Sequence, residues 1–475
     1  MSQSFSVKRA QVEFHNFASL GQPERNLQIY AEENRRRAGV IRAHREFIGE
    51  MTPFLEIGAN AGHSSYMLSN EFGASGFALD ISADSLRHGR ALMDAWNLQR
   101  APVRVAGDAL QLPFADNSLR FVCAFQVLSQ FMDIGSLLRE VTRVLQPGGV
   151  FLFGEEPLRR KLSLRLYRCP YRESMKPWER RLLDWGLLGF LVRDVIGADQ
   201  EESFGIRQNH STYLEGWHAL VKQHFADYQF DAFVPERGWA ERVVKHAAIR
   251  LDPHGSEWHA AHWLGGTLAA VCKKAGTAPA ATPPSDRFVE RFEDALRCPD
   301  CHTAMVRDKH ETLCCVRCSY HAPLEEQVYN LLPSAERREL YPGQRDDIID
   351  FSVPGHERQL LDGWYEVEGV FGNKYRWIGA KASAKLSRVK PGPQKLRIRG
   401  FVASQSLPEV TVSVNGARAG AWKLRRPGLF VLEAEVGESD EYQVVIEASP
   451  TWSVPEDDRT FSVNISMIRL VSALR

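Results

Sequence analysis

Phe54-Leu55-Glu56-Ile57-Gly58-Ala59-Asn60-Ala61-Gly62 is the stretch that decides the fold of this 475-residue chain. It is an apolar run containing one acid, followed by small residues that open into a helix near His63. Gly58 and Gly62 predict backbone angles that a Cβ would penalise and a close approach of the main chain to a ligand. In parallel α/β sheets the ligand crevice lies where strands end and helices begin. The stretch therefore predicts an α/β domain with a ligand site beside Gly58.

A second acid ends the next apolar run, Phe77-Ala78-Leu79-Asp80-Ile81, and lies 22 residues after Gly58. That distance suits one β-α-β crossover and places the Asp80 carboxylate where ribose hydroxyls bind. A third acid, Asp108, follows another apolar run. One acid before a helix is commonly a cap. Three acids at the ends of strands of one sheet favour a ligand, either a nicotinamide dinucleotide or S-adenosylmethionine.

Two further motifs complete an ordered set: Asn117-Ser118-Leu119-Arg120-Phe121-Val122 and Arg143-Val144-Leu145-Gln146-Pro147-Gly148-Gly149-Val150. The set resembles the class I S-adenosylmethionine-dependent methyltransferases (type 11-like), well over residues 40–155 and in diluted form to about 275. The resemblance implies a Rossmann-like seven-stranded sheet. It also implies S-adenosyl-L-methionine as the cofactor and methyl transfer as the reaction.

Carried over by position, the resemblance assigns specific residues to each part of the cofactor. Glu56, Gly58, Asn60 and Gly62 would line its amino-acid and ribose part, Asp80 and Ile81 the ribose, Asp108 and Ala109 the adenine, and Gln126 the methionine portion. Asn60 stands where the family has a glycine, and asparagine also tolerates a left-handed turn. Ser129-Gln130 replaces a histidine pair often found after the fourth strand, which leaves no histidine base at that place.

The bulk composition limits the function classes. The 59 basic and 59 acidic residues balance, so no global field favours a polyanion such as nucleic acid. Residues 1–9 lack the apolar core of a signal peptide. No apolar run approaches the roughly 20 residues that span a bilayer. Since most cysteines also occur as paired Cys-x-x-Cys, we predict a cytoplasmic protein.

The chain is long enough for several domains. Residues 1–50 predict a helical cap over the cofactor, with the arginine run 35–37 as a solvated helix face. The methyltransferase domain is predicted at 51–275, with a helical insert at about 156–225. Within it, the apolar run 178–196 favours a buried lid over peripheral contact with a membrane, because charges are interspersed. A Pro/Ala-rich linker follows at 276–290.

Cys298-Pro299-Asp300-Cys301 and Cys315-Val316-Arg317-Cys318 are two Cys-x-x-Cys knuckles, separated by 13 residues. Four thiolates from two tight turns satisfy tetrahedral Zn²⁺ with no open position, which is the structural kind of site. They predict a zinc ribbon at 291–334 that needs its metal to fold, with Cys314 as a spare thiol. The segment resembles small zinc-ribbon partners that activate and solubilise certain methyltransferases. Stabilisation of the catalytic domain is favoured over substrate docking.

Residues 350–475 predict an antiparallel β-sandwich, with a strong hairpin signal at Asn415-Gly416. The segments Gly363-Trp364-Tyr365-Glu366 and Tyr375-Arg376-Trp377 resemble a domain appended to bacterial glycosyltransferases and glycan-modifying methyltransferases. Trp364, Tyr365 and Trp377 are candidates for stacking on sugar rings. Packing in a core is the more common fate of such aromatics.

An alcohol acceptor would need a base with a pKa near neutral. The candidates are Glu155 and Glu156, at the end of the fifth strand, and His210, Tyr213 and His218, in the substrate region. Glu155 and His210 are favoured among them. The main interpretation is a methyltransferase acting on a saccharide or on a lipid-linked or nucleotide-linked sugar. The alternatives are an RNA or translation-protein methyltransferase with a built-in activating ribbon, and a non-catalytic glycan-binding scaffold. Neutral charge and the lack of a basic-aromatic strip argue against RNA. The sequence predicts no oligomeric state.

Overall fold

The structure is a computed structural model that describes residues 23–131, 133–159, 212–233, 249–277, short pieces between 161 and 191, and most of 288–472. His210 and most of the linker lie outside the described residues. The described residues fall into two compact units. The first reaches Ser334, and the second begins at Ala335.

The first unit is built on a sheet that confirms the α/β fold. Its strands, up to the predicted linker, are β1 (Phe54–Ile57), β2 (Gly76–Asp80), β3 (Val103–Ala106), β4 (Leu119–Phe125), β5 (Leu145–Leu158), β6 (Asp227–Phe233), β7 (Ile249–Leu251) and β8 (Gly266–Lys273). Strands β3-β2-β1-β4-β5 are parallel, and β8, β6 and β7 continue the sheet in antiparallel pairs. Strands β1, β2 and β4 are buried along their whole length, as expected of parallel strands covered on both faces.

Helices cover both faces of this sheet. They are α1 (Pro23–Ala43), α2 (Arg45–Ile48), α3 (His63–Glu71), α4 (Ala83–Arg87), α5 (Gly89–Trp96), α6 (Ile134–Val144), α7 (Pro177–Asp184), α8 (Leu214–His224) and α9 (Ser256–Leu264). Helix α6 shows why they form: Asp133 caps its first turn by accepting from the Ser136 amide at 3.1 Å. Its buried residues Ile134, Leu137, Leu138 and Val141 recur at helical spacing and face the core.

The order of the strands fixes where a ligand can bind. The chain runs from β1 to β2 and β3 on one side, and then returns to β4 and β5 on the other side of β1. The loops after β1 and β4 therefore leave the sheet in opposite directions. The crevice between them, outside the carboxyl ends of the strands, is the topological switch point at which such sheets bind ligands.

The cysteine-bearing segment has a sheet of its own and also extends the main one. Strands β9 (Met305–Arg307), β10 (Leu313–Cys315) and β11 (His321–Ala322) form a small antiparallel sheet. Strands β12 (Leu324–Glu325) and β13 (Val328–Asn330) form a hairpin, and β13 pairs in parallel with β3. Among the described residues the main sheet therefore has ten strands, the seven predicted ones plus β7, β12 and β13.

The second unit is the predicted antiparallel β-rich domain. After α10 (Ser334–Leu340), its strands are β14 (Ile348–Asp350), β15 (Leu360–Val370), β16 (Asn373–Ser387), β17 (Gln394–Val402), β18 (Glu409–Val414), β19 (Ala417–Lys423), β20 (Gly428–Val436), β21 (Glu441–Ser449), β22 (Trp452–Val454), β23 (Asp457–Phe461) and β24 (Asn464–Ser472). The predicted hairpin at Asn415 and Gly416 is confirmed, with φ of 51° and 81°.

One feature differs from a simple two-sheet sandwich. In the described part of the second unit, the strands other than β22 and β23 belong to one nine-stranded sheet around one apolar core. The cause is the length of β16, whose first half pairs with β24 and whose second half pairs with β21. This single long strand joins what would otherwise be two layers.

The buried lid predicted at 178–196 is described only in part. Trp178, Trp185 and Leu187 are exposed, whereas Leu188 is buried. Leu182 and Leu191 are half-buried. Most of the remaining run lies outside the described residues, so the lid stays a prediction. Among the described residues, no helix is long and apolar enough to cross a membrane.

Candidate functional site

The loop after β1 has the left-handed backbone that its sequence predicts. Gly58, Asn60 and Gly62 have φ of 69°, 51° and 81°. A Cβ placed on Gly58 would lie 2.3 Å from Cγ2 of Val127, which follows β4. The loop main chain therefore packs directly against the start of the turn after β4, and only glycine fits there.

Asp80 ties the end of β2 to this loop. Its buried carboxylate accepts hydrogen bonds from the Asn60 amide at 2.8 Å and the Ser82 amide at 2.9 Å. A carboxylate has about four acceptor positions, so two remain for the hydroxyls of a ribose. Half-buried Ile81 lies beside it. This chemistry fits the role expected of Asp80.

The end of β3 lies next to the end of β2. The Gly107 amide donates to the Asp80 carbonyl at 2.9 Å. Asp108 is buried and accepts from the Leu110 amide at 2.9 Å, with buried Ala109 between them. The structure thus brings the predicted ribose and adenine residues to one edge of the sheet.

Glu56 has a different position from the other predicted cofactor residues. It is buried within β1, and its Oε2 accepts from the Ser65 amide at 2.7 Å and the Ser65 hydroxyl at 2.5 Å. Burial raises the pKa of Glu56, against the lowering effect of nearby His63 and of these hydrogen bonds. In this structure, Glu56 therefore anchors the first turn of α3.

Gln126 and Glu155 meet at the ends of β4 and β5. The Gln126 side-chain amide donates to Glu155 Oε2 at 2.9 Å. Both residues have positive φ, 59° and 60°, and Glu155 lies where the pairing of β5 with β8 shifts register. This irregularity turns the Glu155 carboxylate toward α1.

Arg37 of α1 holds that carboxylate. Its Nη2 lies 2.6 Å from Glu155 Oε2, and its Nε lies 3.2 Å from the same oxygen. Burial alone would lower the pKa of Arg37, but the Glu155 and Glu33 carboxylates raise it, so the guanidinium stays charged. A role for Glu155 as a base therefore requires Arg37 to release it.

The same arginine contacts the helix that follows the glycine loop. Arg37 Nη1 donates to Ser64 Oγ at 2.8 Å and lies 2.6 Å from His63 Nε2. Glu33 lies 2.9 Å from the same His63 nitrogen. Tyr30 stacks on the His63 ring at 4.3 Å, and burial raises the pKa of Tyr30 to about 12.

The sequence interpretation missed this polar network. It assigned residues 35–37 to a solvated helix face, but Arg37 is only 5% exposed, while Arg35 is exposed. A signal was present: Tyr30, Glu33, Asn34 and Arg37 recur at the spacing of one helix face. Four polar or aromatic residues on one face indicate a shared polar partner.

The residues around the predicted base positions have structural partners. Glu156 is buried and accepts from the amides of Val127, Leu128 and Ser129 at 2.8 to 2.9 Å. Burial raises the pKa of Glu156, and these three hydrogen bonds lower it. It therefore fixes the turn at Leu128–Gln130, which contains the pair that replaces the family histidines.

The four predicted metal ligands lie together. The Sγ atoms of Cys298, Cys301, Cys315 and Cys318 all lie within 4.8 Å of one another. Three of the Sγ–Sγ distances are 3.4 to 3.6 Å. A tetrahedral site with four sulfur ligands around Zn²⁺ has sulfur–sulfur distances of about 3.8 Å. Cys314 is not part of the cluster. The donor set therefore fits one structural zinc ion.

Comparison with known proteins finds that part of this sheet is similar to methyltransferase domains. Residues 55–153 match the family described as "Methyltransferase domain". The match and the α/β sheet together support a class I S-adenosylmethionine-dependent methyltransferase domain, with S-adenosylmethionine as its cofactor.

Two similar proteins have methyltransferase names. Chloroplastic tocopherol O-methyltransferase of Arabidopsis thaliana is 28% identical over 153 residues, which are 32% of this chain and 41% of that protein. Demethylmenaquinone methyltransferase of Listeria welshimeri is 34% identical over 100 residues, 21% of this chain and 42% of that protein. The chain thus spans about two fifths of each relative. Among solved structures, phosphoethanolamine N-methyltransferase 2 of Haemonchus contortus aligns at 17% identity and a TM-score of 0.32, over 51% of this chain and 52% of that one.

Proposed function

We propose that this chain is an S-adenosylmethionine-dependent methyltransferase with a small-molecule acceptor, and that the acceptor is a saccharide or a sugar-linked molecule. The observation that carries the enzyme proposal is the geometry at the switch point. The left-handed loop at Gly58, the Asp80 carboxylate and Asp108 meet at one sheet edge within the segment that matches the family.

Bound S-adenosylmethionine would supply a methyl group activated on a sulfonium. The work of this chain is then to position the reactants and to exclude water. Asp80 and Asp108 provide acceptors for the hydroxyl and amino groups of a nucleoside. Helix α1 lies beside the loop through Tyr30, His63 and Arg37, and forms one wall of the crevice.

Calorimetric titration of S-adenosylmethionine and S-adenosylhomocysteine into the full chain tests the cofactor site. We expect micromolar binding that Asp80→Ala abolishes, because that change removes the ribose acceptors. Asp84→Ala is the matched control, since Asp84 pairs with Arg87 at 2.6 Å on α4. Absence of binding by folded, zinc-loaded wild type would refute the enzyme proposal.

The saccharide proposal rests on the aromatic residues of the second unit. Trp364 donates its Nε1 to the Ser383 carbonyl at 2.7 Å and packs against the apolar core, so it is a poor candidate for a sugar platform. Trp377 and Trp452 are half-buried and both pack around Phe461. Tyr365 is also half-buried and packs against Phe461. Tyr365 and Trp377 therefore remain the candidates for sugar stacking, and Trp377 has the larger ring system.

A glycan array probed with the full chain tests this part. We expect signals that Trp377→Ala removes, and a methyl-transfer screen should begin with the sugars found. The small molecules named in the relatives, tocopherol and demethylmenaquinone, form the second set of acceptors. Methylation of those rings without any glycan signal would replace the saccharide proposal and leave the enzyme proposal intact.

The cysteine segment is proposed to be a zinc ribbon that stabilises the catalytic unit. It bonds to the loop that follows Asp108: the Gln111 side chain donates to the Pro299 carbonyl at 3.0 Å, and the Ala115 amide donates to the Ala295 carbonyl at 2.8 Å. Strand β13, which also belongs to the cysteine segment, pairs with β3, the strand that precedes Asp108. These contacts support a scaffolding role for the metal site.

A further inference from the structure

The insert after β5 exposes apolar side chains in the pieces that the structure describes. Leu162, Leu164 and Leu166 alternate along the chain and are 54%, 68% and 68% exposed. The Leu162 amide donates to the Trp263 carbonyl at 3.1 Å. This bond places exposed Trp263 beside the leucines.

The exposed surface continues after α7. The Leu166 amide donates to the Leu191 carbonyl, and the Leu191 amide donates to the Leu188 carbonyl, both at 2.9 Å. Leu188 is buried, whereas Trp185 and Leu187 before it are exposed. We call Leu162, Leu164, Leu166, Trp185, Leu187 and Trp263 the insert surface. Large apolar residues exposed close together mark an interaction site rather than ordinary surface.

The charge around the insert surface indicates its partner. Residues 159–181 contain nine basic and two acidic residues, in a chain whose total charge is zero. Among the described ones, Lys161, Lys176 and Arg181 are exposed, whereas the acid Glu179 is buried. These three basic side chains thus face solvent, and Lys161 directly precedes Leu162 in the chain.

We propose that the insert surface docks on an anionic lipid bilayer. Exposed leucines gain free energy by entering the acyl boundary. Tryptophan prefers the headgroup level, and lysine and arginine are attracted to anionic headgroups. No spanning segment is involved. The proposal goes beyond methyl transfer and does not depend on it.

Vesicle co-sedimentation with the full chain tests the proposal. We expect binding to phosphatidylcholine vesicles that contain about 30% phosphatidylglycerol, and binding at least about tenfold weaker to phosphatidylcholine alone. Leu164→Ser combined with Leu166→Ser should weaken binding at least about tenfold, because two apolar contacts with the bilayer are lost. Leu361→Ser is the matched control, since Leu361 is 52% exposed and lies on β15 of the second unit.

A charge variant gives an independent measurement without altering an apolar residue. Lys161→Gln, Lys176→Gln and Arg181→Gln should each weaken binding to the anionic vesicles by roughly fivefold. The thermal unfolding of each variant is compared with that of the wild type, so that misfolding is recognised. If the variant with both leucine substitutions misfolds, the vesicle binding of the three charge variants tests the proposal in its place.

Three results would overturn the proposal. The first is a wild type that does not bind anionic vesicles. The second is a loss of binding with Leu361→Ser equal to that of the leucine pair. The third is a wild type that dimerises in light scattering and becomes monomeric in the leucine pair while vesicle binding is unchanged, which would assign the surface to a second copy of the chain.

Discussion

Gly58→Ala is the most direct test of the loop that organises the crevice. The substitution forces alanine into a φ of 69°, which costs about 1–2 kcal/mol for a residue with a Cβ. The new methyl group would also lie 2.3 Å from Val127 Cγ2, and overpacking of this kind costs about 1–3 kcal/mol. We therefore expect the first unit to lose about 2–5 kcal/mol of unfolding free energy. S-adenosylhomocysteine should bind more weakly, because the loop must move.

Urea unfolding measures this loss of free energy. The transition of the first unit is recognised as the one that moves to higher urea concentration when S-adenosylhomocysteine is added to the wild type. Two further variants separate the causes. In the double variant Gly58→Ala/Val127→Ala the clash with Val127 is removed, so the double-mutant cycle gives the free energy of overpacking as its coupling energy. The remaining loss of unfolding free energy is then the cost of the left-handed backbone at position 58. Gly39→Ala on α1, where a Cβ meets nothing within 4 Å, should stabilise by about 0.5–1 kcal/mol. A Gly58→Ala protein with wild-type stability and ligand affinity would refute the reasoning.

Three other predictions concern the metal cluster and the Arg37 network. We expect native mass spectrometry to find one zinc ion per wild-type chain. Cys301→Ser should lose this ion, whereas Cys314→Ser, which is outside the cluster, should keep it. Arg37→Gln should cost about 3 kcal/mol by leaving buried acceptors unpaired, and Arg42→Gln, whose ion pair is exposed, less than about 1 kcal/mol in the same urea assay. Burial alone would raise the pKa of Glu33, but its hydrogen bond to His63 and the charge of Arg37 lower that pKa. The Glu33 carboxylate therefore stabilises the fold fully above the unfolded-state pKa of about 4.3. This stabilisation is lost as the pH falls through the lower pKa of the folded state. The difference in unfolding free energy between wild type and Glu33→Gln should therefore shrink below about pH 4, and a difference that grows on acidification would contradict the network.

The features that followed from the sequence are those set by local chemistry. A left-handed turn needs residues such as Gly58 and Asn60, and a hairpin turn needs Asn415-Gly416. In both cases the backbone angles agree with the residues. The cysteine cluster was predictable for the same reason, because two tight knuckles leave little freedom in where their sulfurs meet.

The features that did not follow depend on partners distant in the chain. Arg37 is buried because Glu155, 118 residues away, turns toward it at an irregularity in β5. The arginine run alone does not show which arginine meets such a partner, and the helix-face spacing that singles out Arg37 does not identify Glu155 as that partner. Strand β13 has only three residues, too few for a periodic pattern to predict its pairing with β3.

The pairing of β13 with β3 has a consequence for where the first unit can be cut. A chain ended at the linker, near residue 290, would leave the amides and carbonyls along β3 without the partner that they have in the structure. Such open edges pair with other chains and aggregate. The smallest piece of this protein that folds cleanly should therefore extend through Ser334. If the four cysteines hold zinc as proposed, removal of the metal from the intact chain should loosen the same edge, and metal content should then govern how long the protein stays dispersed in solution.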